Sequence, residues 1–428
     1  MSKLILIRHI SRRLEMSMRK VLVISYAYPP LAGVGPIPVV KIVKYLEEFG
    51  WSPIVLTVKN PDPLLDKIDE DFFEEEDYKH INIVRAYCFS LGLIFGGIER
   101  LWRSIRAIMV PDIYVGWVPH AISVARRIIE KEEVDVIFST NPPVTNILIG
   151  ALLKRKTNRP FILDYRDIQP FWFPTKFHAL IERKIHELAL RSADSITVVN
   201  LSQKETLLRI YPFLEAERIK ILENPFDPGD FRGGLPMKYD RYTILYTGGI
   251  FRVESVNVDR ITPFRAFAEA ISDLIREGAL KSDEFQVILI GWIDPSVEQI
   301  IRNLRLEKTI RYEGVKPHKE AIRYMLGANV LLLIPGGKMF SPTKLFEYLA
   351  SGKFILNIGS KEGEASRLIT AVNCGLTVKP DRKALKEILL KVMRNRPTKK
   401  VHRESALIRS FSARELAKKL ASILDSLV

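Results

Sequence analysis

The chain has 428 residues, more than one hydrophobic core usually organises, so two domains are expected. Hydrophobic residues make up 47% and charged residues 27%, a balance that excludes a largely disordered protein. The formal net charge of +15 favours polyanionic partners, which include nucleic acid, an anionic membrane surface and phosphorylated small molecules.

The chain carries no sign of secretion or of a membrane span. No stretch reaches the roughly 18 apolar residues that a transmembrane helix needs. Residues 1–18 form a basic extension, and charged residues at 8–13 interrupt its short apolar run before a signal-peptide core can form. Cys88 and Cys374 supply neither a disulfide framework nor a thiolate zinc site. We therefore predict a cytoplasmic protein.

Residues 19–228 alternate apolar runs with amphipathic stretches. The first run, 21–26, is apolar almost throughout, as in a parallel strand covered on both faces. Further strands are predicted at 53–58, 81–86, 134–139, 160–164 and 195–199, and helices at 39–46, 121–131 and 178–191. This alternation predicts an α/β, doubly wound, Rossmann-like domain.

The same alternation begins again after a cluster of glycine and proline at 224–236, which predicts a linker. Strands are predicted at 242–247, 286–290, 310–312, 329–334 and 354–358, with helices at 263–276, 297–304, 319–327 and 342–351. Residues 229–408 are therefore a second Rossmann-like domain. Residues 409–428 contain a capping box and a C-terminal amphipathic helix, which can pack against either domain.

The segment 336–353 carries the strongest chemical signal. Ser341 is predicted to cap a helix whose first residue is Pro342, so free N–H groups and the positive end of the helix dipole lie at a strand end. Lys344 lies in the first turn, where an anion such as a diphosphate would offset its repulsion by the dipole. Glu347, one turn later, suits the two hydroxyls of a ribose; an ordinary surface Lys/Glu pair is the alternative.

The pattern TKxxEYxAxGK at 343–353 resembles the donor-site helix of glycosyltransferase family 4 and its relatives in the glycosyl transferase group 1 superfamily. The resemblance implies the GT-B fold, in which two Rossmann-like domains face each other across a cleft. It also implies that Glu347 holds the ribose of a nucleotide sugar, with Thr343 and Lys344 beside the donor. Much family-4 sequence has a second glutamate eight residues before this one, contacting the transferred sugar, and Met339 stands there in this chain.

Three segments of the first predicted domain also resemble family 4. The run YAYPPLAGVG at 26–35 is similar to its first loop, beside acceptor and donor phosphate, and Gly33 and Gly35 permit close backbone approach to a ligand. Gly35 is also predicted to cap the next helix. The segments 139–143 and 164–167 resemble stretches that line the cleft. Asp167 is the candidate for orienting an acceptor hydroxyl, and Arg166 is either catalytic or its ion-pair partner.

The second predicted domain opens as that family does, with Gly248 and Gly249 facing the donor. The family's phosphate-binding cations follow this strand, which makes Arg260 a candidate, although 253–259 does not align cleanly. Glu364 lies in a segment that resembles another donor-side loop and is alternatively an ordinary first-turn helix residue. The seven histidines show no metal-site spacing and none falls in these motifs, so we predict no metal and no cofactor.

These patterns predict a metal-independent glycosyltransferase of the hexosyltransferase type. It would move a sugar from a nucleoside-diphosphate sugar to a glycan or lipid-linked acceptor in cell-surface polysaccharide or glycolipid synthesis, and the resemblance implies retention. The basic amphipathic stretch 98–110 can lie on the anionic inner membrane face, with core packing as the simpler alternative; no nucleic acid is expected. The alternative functions are a nucleotide-sugar epimerase of this fold and a non-catalytic nucleotide-binding or scaffold protein.

Overall fold

A computed structural model describes residues 18–31, 35–62, 66, 68, 78–89, 109–168, 176–253, 258–396 and 405–428. The described residues up to 223, together with 413–428, form a first compact unit, and those from 224 to 412 form a second. No helix of the described ranges is long and apolar enough to cross a bilayer. Two segments singled out above, 1–18 and 98–110, lie outside the described residues except for positions 18, 109 and 110.

Seven parallel strands form the sheet of the first unit. They are β1 (Arg19–Ile24), β2 (Trp51–Val58), β3 (Asn82–Ala86), β4 (Val136–Asn141), β5 (Phe161–Tyr165), β6 (Ser195–Val198) and β7 (Ile219–Ile221). Their order is β3-β2-β1-β4-β5-β6-β7, so the strand order reverses between β1 and β4. This is the arrangement of a doubly wound Rossmann-like sheet with one added edge strand.

Helices cover both faces of that sheet. They are α1 (Ile37–Val43), α2 (Val118–Lys131), α3 (Val144–Thr157), α4 (Lys176–Ser192) and α5 (Leu201–Ile210). Alternate side chains of β1 enter separate hydrophobic clusters, since Leu22 packs in one and Val21 in the other. The continuous apolar runs of the sequence therefore reflect a sheet that is buried on two sides.

The second unit contains a six-stranded parallel sheet and a two-stranded antiparallel hairpin. Its strands are β8 (Tyr242–Thr247), β9 (Arg252–Val253), β10 (Val258–Asp259), β11 (Phe285–Ile290), β12 (Ile310–Tyr312), β13 (Val330–Leu333), β14 (Phe354–Ile358) and β15 (Gly375–Val378). The main sheet has the order β12-β11-β8-β13-β14-β15, with the reversal between β8 and β13, and β9 pairs with β10.

The helices of the second unit follow its strands in alternation. They are α6 (Ile261–Arg276), α7 (Pro295–Asn303), α8 (His318–Gly327), α9 (Thr343–Ser351), α10 (Glu364–Val372), α11 (Arg382–Asn395) and α12 (Ala406–Ser410). Side chains of the sheet again divide between two clusters, with Ile244 in one and Leu245 in the other. Two parallel α/β sheets with helices on both faces confirm the predicted fold class.

The division between the units lies after Glu223, upstream of the boundary predicted at 228. Phe226 packs in the core of the second unit, and its N–H donates to the carbonyl of Phe411 at 3.1 Å. The C-terminal segment is also divided, because Phe411 packs on Phe346 with ring centroids 5.2 Å apart. The last helix, α13 (Ala413–Asp425), belongs instead to the first unit.

Helix α13 covers one face of the first sheet. Its apolar side chains Leu416, Leu420 and Leu424 are buried in the same cluster as Val21 and Trp51. Ion pairs of Asp425 with Arg19 and of Arg414 with Glu48 border that contact. The helix that the sequence left unassigned is therefore part of the core of the first unit.

Candidate donor site on the second unit

The carboxyl ends of β8 and β13 meet where the strand order of the second sheet reverses, which is where open α/β sheets bind ligands. Gly248 follows β8 with φ +102°, a conformation that favours glycine. A Cβ atom on Gly291, after the neighbouring β11, would meet the carbonyl oxygen of Gly248 at 2.4 Å. The two glycines therefore let the loops after β8 and β11 pack closely together.

Helix α9 begins at this edge of the sheet. Its N-cap is Pro342 (φ −63°, ψ 149°) and its first residue is Thr343, so the predicted cap at Ser341 is wrong by one residue. The extended ψ of Pro342 delays the helix by that residue. Tyr348 anchors the helix to the sheet, because its buried hydroxyl accepts the N–H of Thr247 at 2.9 Å.

Lys344 folds back from the first turn of α9 onto the end of β8. Its Nζ donates to the carbonyl of Thr247 at 2.7 Å and lies 3.8 Å from the centroid of the Tyr246 ring. Burial, with a further contribution from Arg260, lowers the pKa of Lys344 well below its usual value, and nearby Glu347 opposes that change. A charged lysine is thus costly here until an anion arrives.

The guanidinium of Arg260 lies between the residues that follow β8 and those that follow β13. Its Nη1 and Nη2 each lie 3.4 Å from a carbonyl oxygen, that of Gly249 and that of Pro335, and its guanidinium lies 4.9 Å from the Phe251 ring centroid. Its buried Nε has no hydrogen-bond partner among the described residues. Arg260 and Lys344 together place two basic side chains at the ends of β8 and β13.

The β9–β10 hairpin lies between β8 and Arg260, in the segment where the match to the family was not clean. The hairpin takes the chain away from β8 and returns it, so that the N–H of Arg260 donates to the carbonyl of Phe251 at 3.1 Å. Arg252, the other cation available after β8, pairs with Asp259 at 2.9 Å. The hairpin therefore separates Arg260 from β8 in sequence, while Arg260 Nη1 lies beside the carbonyl of Gly249 in space.

Glu347 is buried and has a partner that sequence reasoning missed. Its Oε1 accepts a hydrogen bond from His318 Nε2 at 2.8 Å, and Nδ1 of the same ring lies 3.9 Å from Oδ2 of Asp230. Glu347 is therefore not part of an ordinary surface pair with Lys344, which was the alternative interpretation. The sequence could have indicated His318 only through its position, because it is the first residue of the helix that follows β12.

The remaining predicted donor residues border this edge. Thr343 is buried as the first residue of α9. Glu364 is buried as the first residue of α10, its N–H donates to the carbonyl of Lys338 at 2.9 Å, and its Oε1 accepts from Arg367 at 3.2 Å. Glu364 thereby ties α10 to the loop that contains Met339.

The predicted acceptor-side residues lie in the first unit. Arg166 donates through Nε to the buried Asp164 at 2.8 Å and through Nη1 to the carbonyls of Leu222 and Glu223. Asp164 is thus the ion-pair partner that the structure shows for Arg166. Asp167 is half-buried, and its carbonyl accepts from Asn141 Nδ2 at 2.8 Å.

The first loop of the first unit is described in part. Gly33 lies outside the described residues, and Gly35 is exposed with open space where a Cβ would be. The predicted cap at Gly35 is wrong by one residue, since Pro36 is the N-cap of α1. Tyr26, at the start of the loop, donates to Asp66 at 3.0 Å, and burial raises the pKa of that carboxyl group. Sequence reasoning did not single out Asp66.

The sequence matches no protein-family model and no curated protein. Solved structures match over nearly the whole chain. Sucrose-phosphate synthase from Thermosynechococcus elongatus has a TM-score of 0.67 at 17% identity, over 96% of this chain and 99% of its own. HepE from Anabaena in complex with UDP-glucose has a TM-score of 0.61 at 16% identity, over 95% and 100%.

A putative UDP-N-acetylglucosamine 2-epimerase from Listeria monocytogenes also matches, with a TM-score of 0.60 at 13% identity over 96% of each chain. At these identities the likeness establishes the fold. The chain has the GT-B fold, shared with glycosyltransferases, and the resemblance inferred from the motifs is confirmed at that level.

Proposed function

We propose that this protein is a glycosyltransferase whose donor is a nucleoside-diphosphate sugar. The proposal rests on the meeting of Lys344 and Arg260 at the ends of β8 and β13, where the strand order of the second sheet reverses. The buried carboxylate of Glu347 lies one helical turn after Lys344 on α9. Two cations beside a carboxylate match the diphosphate and the ribose diol of such a donor. That HepE has been solved with UDP-glucose supports the same donor class.

In this proposal each donor-site group has one task. Lys344 and Arg260 bind the diphosphate and stabilise the negative charge that develops as it leaves, without a metal ion. The start of α9, with Thr343, adds the positive end of a helix dipole. Gly248 and Gly249 let the backbone approach the donor, Glu347 binds ribose, and Glu364 supports the loop beside the sugar.

The acceptor side of the proposal rests on the first unit. Asp167 would orient the acceptor hydroxyl, whereas Arg166 holds Asp164 and the chain after β7 in place. Retention follows from the family resemblance, with a diphosphate oxygen receiving the acceptor proton. A glycan or lipid-linked acceptor, cytoplasmic location and contact with an anionic membrane stay predictions of the sequence.

Nucleotide binding is the first test. We expect one of UDP, GDP and ADP, at a concentration near 100 times its Kd, to stabilise the protein by about 2.7 kcal/mol. For units of this size that corresponds to a rise in Tm of roughly 5–10 °C by differential scanning fluorimetry. The corresponding nucleoside monophosphate should give a much smaller shift, because it lacks the second phosphate. Failure of all three diphosphates would contradict the proposed donor site.

Glu347 provides a second test of the same site. We expect Glu347→Gln to weaken binding of the preferred nucleoside diphosphate by roughly tenfold or more, since hydrogen bonds to a carboxylate contribute about 1.5–3 kcal/mol. Isothermal titration calorimetry measures the change, and Glu387→Gln on the exposed face of α11 is the matched control. Unchanged affinity would return Glu347 to a purely structural role.

The epimerase remains the second candidate, because an epimerase structure matches over nearly the whole chain. The two functions differ in their products. A transferase releases the nucleoside diphosphate, with slow hydrolysis of the donor when no acceptor is present. An epimerase returns an intact nucleotide sugar with one inverted carbon. Nuclear magnetic resonance spectra of UDP-glucose and UDP-N-acetylglucosamine after incubation with the protein separate the two outcomes.

A further inference from the structure

A histidine that belongs to no recognised motif lies against the proposed ribose ligand. His318 is the first residue of α8, and its ring bridges Glu347 on α9 and Asp230 on the short 3-10 turn Pro228–Phe231. The side chains of Glu347 and Asp230 are only 6% and 9% exposed. The three residues come from three separate segments of the second unit, so the arrangement is a product of tertiary structure.

The contact between His318 and Glu347 indicates which nitrogen of the imidazole carries the shared proton. An ionised carboxylate only accepts hydrogen bonds, so Nε2 of His318 must carry the proton that reaches Oε1 of Glu347. Oδ2 of Asp230 lies 3.9 Å from the other ring nitrogen, Nδ1, which is too far for a hydrogen bond, so this carboxylate acts on the imidazole through its charge. The turn that carries Asp230 is itself held by Asp227, whose Oδ1 accepts the N–H of Gly229 at 2.8 Å.

The hydrogen bond from His318 restricts the Glu347 side chain before any ligand binds. A glutamate side chain that is held by nothing else loses rotamer entropy when a ligand immobilises it. A carboxylate whose Oε1 is already bound at 2.8 Å has lost part of that freedom before the ligand arrives. The Glu347 side chain is then preorganised for a hydroxyl pair, which increases affinity without a new contact.

We propose that His318, supported by Asp230, is a positioning residue that orients Glu347 and thereby sets the preference of the donor site for a ribose over a deoxyribose. The inference rests on the proposed function, because it assigns a role to His318 only if Glu347 binds the nucleotide sugar. His318 acts through Glu347 and touches no reacting atom.

The test compares a ribonucleotide with its 2′-deoxy counterpart. The probes are whichever of UDP, GDP and ADP binds best and the matching 2′-deoxynucleoside diphosphate, titrated by calorimetry. We expect the unmodified protein to prefer the ribonucleotide by roughly tenfold or more, the value of one hydrogen bond to a charged group. His318→Leu should reduce that ratio to about two or less, because the ribonucleotide loses its contacts through both hydroxyls whereas the deoxynucleotide has only its 3′-hydroxyl to lose.

Two further variants keep the proposal falsifiable if His318→Leu folds poorly. His318→Gln retains an N–H donor and should keep most of the preference, whereas Asp230→Asn should lower it in part. His120→Leu, at an exposed histidine of the first unit, is the control. Equal weakening of both nucleotides in His318→Leu, or an unchanged ratio, would overturn the positioning role while leaving the donor site standing.

A metal ion is the competing use of this cluster, because ligand atoms of Asp230, His318 and Glu347 lie within 4.8 Å of one another. The same titrations with ZnCl₂ and with EDTA distinguish the two. Zinc-dependent nucleotide binding that His318→Leu abolishes would overturn the positioning role. Binding that is indifferent to EDTA supports it. Failure of every nucleotide to bind the unmodified protein would overturn both this inference and the proposed function.

Discussion

Replacing Lys344 with methionine is expected to weaken nucleoside diphosphate binding by about 100-fold, which corresponds to about 2.7 kcal/mol. Truncating one partner of a buried, hydrogen-bonded charge pair commonly costs 2–5 kcal/mol, and Lys344 is held against the end of β8 where the diphosphate is proposed to bind. Calorimetric titration with UDP, GDP and ADP measures the loss. Lys391→Met, on the exposed face of α11, removes the same charge away from the site and is the control.

The same substitution should leave the unliganded protein at least as stable as before. Burial and Arg260 lower the pKa of Lys344 in the folded state, so at neutral pH the ammonium costs folding free energy that methionine does not. Because the folded pKa is lower than the unfolded one, the unmodified protein gains stability as the pH rises between those two values. The methionine variant should lack that gain in thermal unfolding measured across alkaline pH.

Nucleotide affinity should change with pH in the opposite direction. A bound diphosphate favours the charged lysine, so affinity falls as the pH rises through the pKa of Lys344 in the free protein. In Lys344→Met this part of the pH dependence disappears. A variant that loses stability but retains nucleotide affinity would show that Lys344 serves only to pack α9 against β8.

The second large effect concerns the stability of the first unit. Asp164→Asn should lower the free energy of unfolding by about 3 kcal/mol, because it leaves the buried guanidinium of Arg166 without its counter-charge. Asp164 also accepts hydrogen bonds from Thr140 at 2.8 Å and Thr197 at 2.6 Å, so the change affects three neighbouring strands. Chemical unfolding followed by tryptophan fluorescence measures the loss, and Trp51 and Trp117 report from the core of this unit.

Two controls separate this network from catalysis and from surface charge. Glu187→Gln removes a half-buried carboxylate that pairs with the exposed Arg183 and should change the unfolding midpoint little. Asp167→Asn should also retain stability but reduce transfer to an acceptor if this residue orients the hydroxyl. If Asp164→Asn were as stable as the unmodified protein, the ion pair with Arg166 would not be what holds the ends of β5 and β7.

Much of the fold could be predicted because each sheet is covered on both faces. A strand buried on two sides must be apolar at nearly every position, and that requirement leaves runs such as Val21 to Ile24 visible in the sequence. Element boundaries were less predictable at the helix starts. Both predicted caps, Ser341 and Gly35, preceded the observed cap by one residue, since a proline with helix-compatible φ can serve as cap or as first residue.

The parts of the proposed donor site that lie within one helix could be predicted from the sequence alone. Lys344 and Glu347 are three residues apart, and helical geometry places such residues on neighbouring parts of one face. Their relation to a strand end also followed from the chain order. Which distant groups meet them depends on strand order, because β8 pairs with β13 on one side as well as with β11, the next strand of this sheet along the chain, on the other.

Three contacts could not be predicted from local sequence: Arg260 with Gly249, His318 with Glu347, and Arg166 with Asp164. Arg260 returns to Gly249 because a hairpin lies between β8 and α6, and His318 meets Glu347 because α8 packs beside α9. Arg166 pairs with Asp164 two residues earlier and not with the adjacent Asp167, since alternate side chains of an extended chain point to the same side. The spacing of residues within one segment determines which of its side chains lie on the same face. Strand order and helix packing determine which side chains of other segments contact that face.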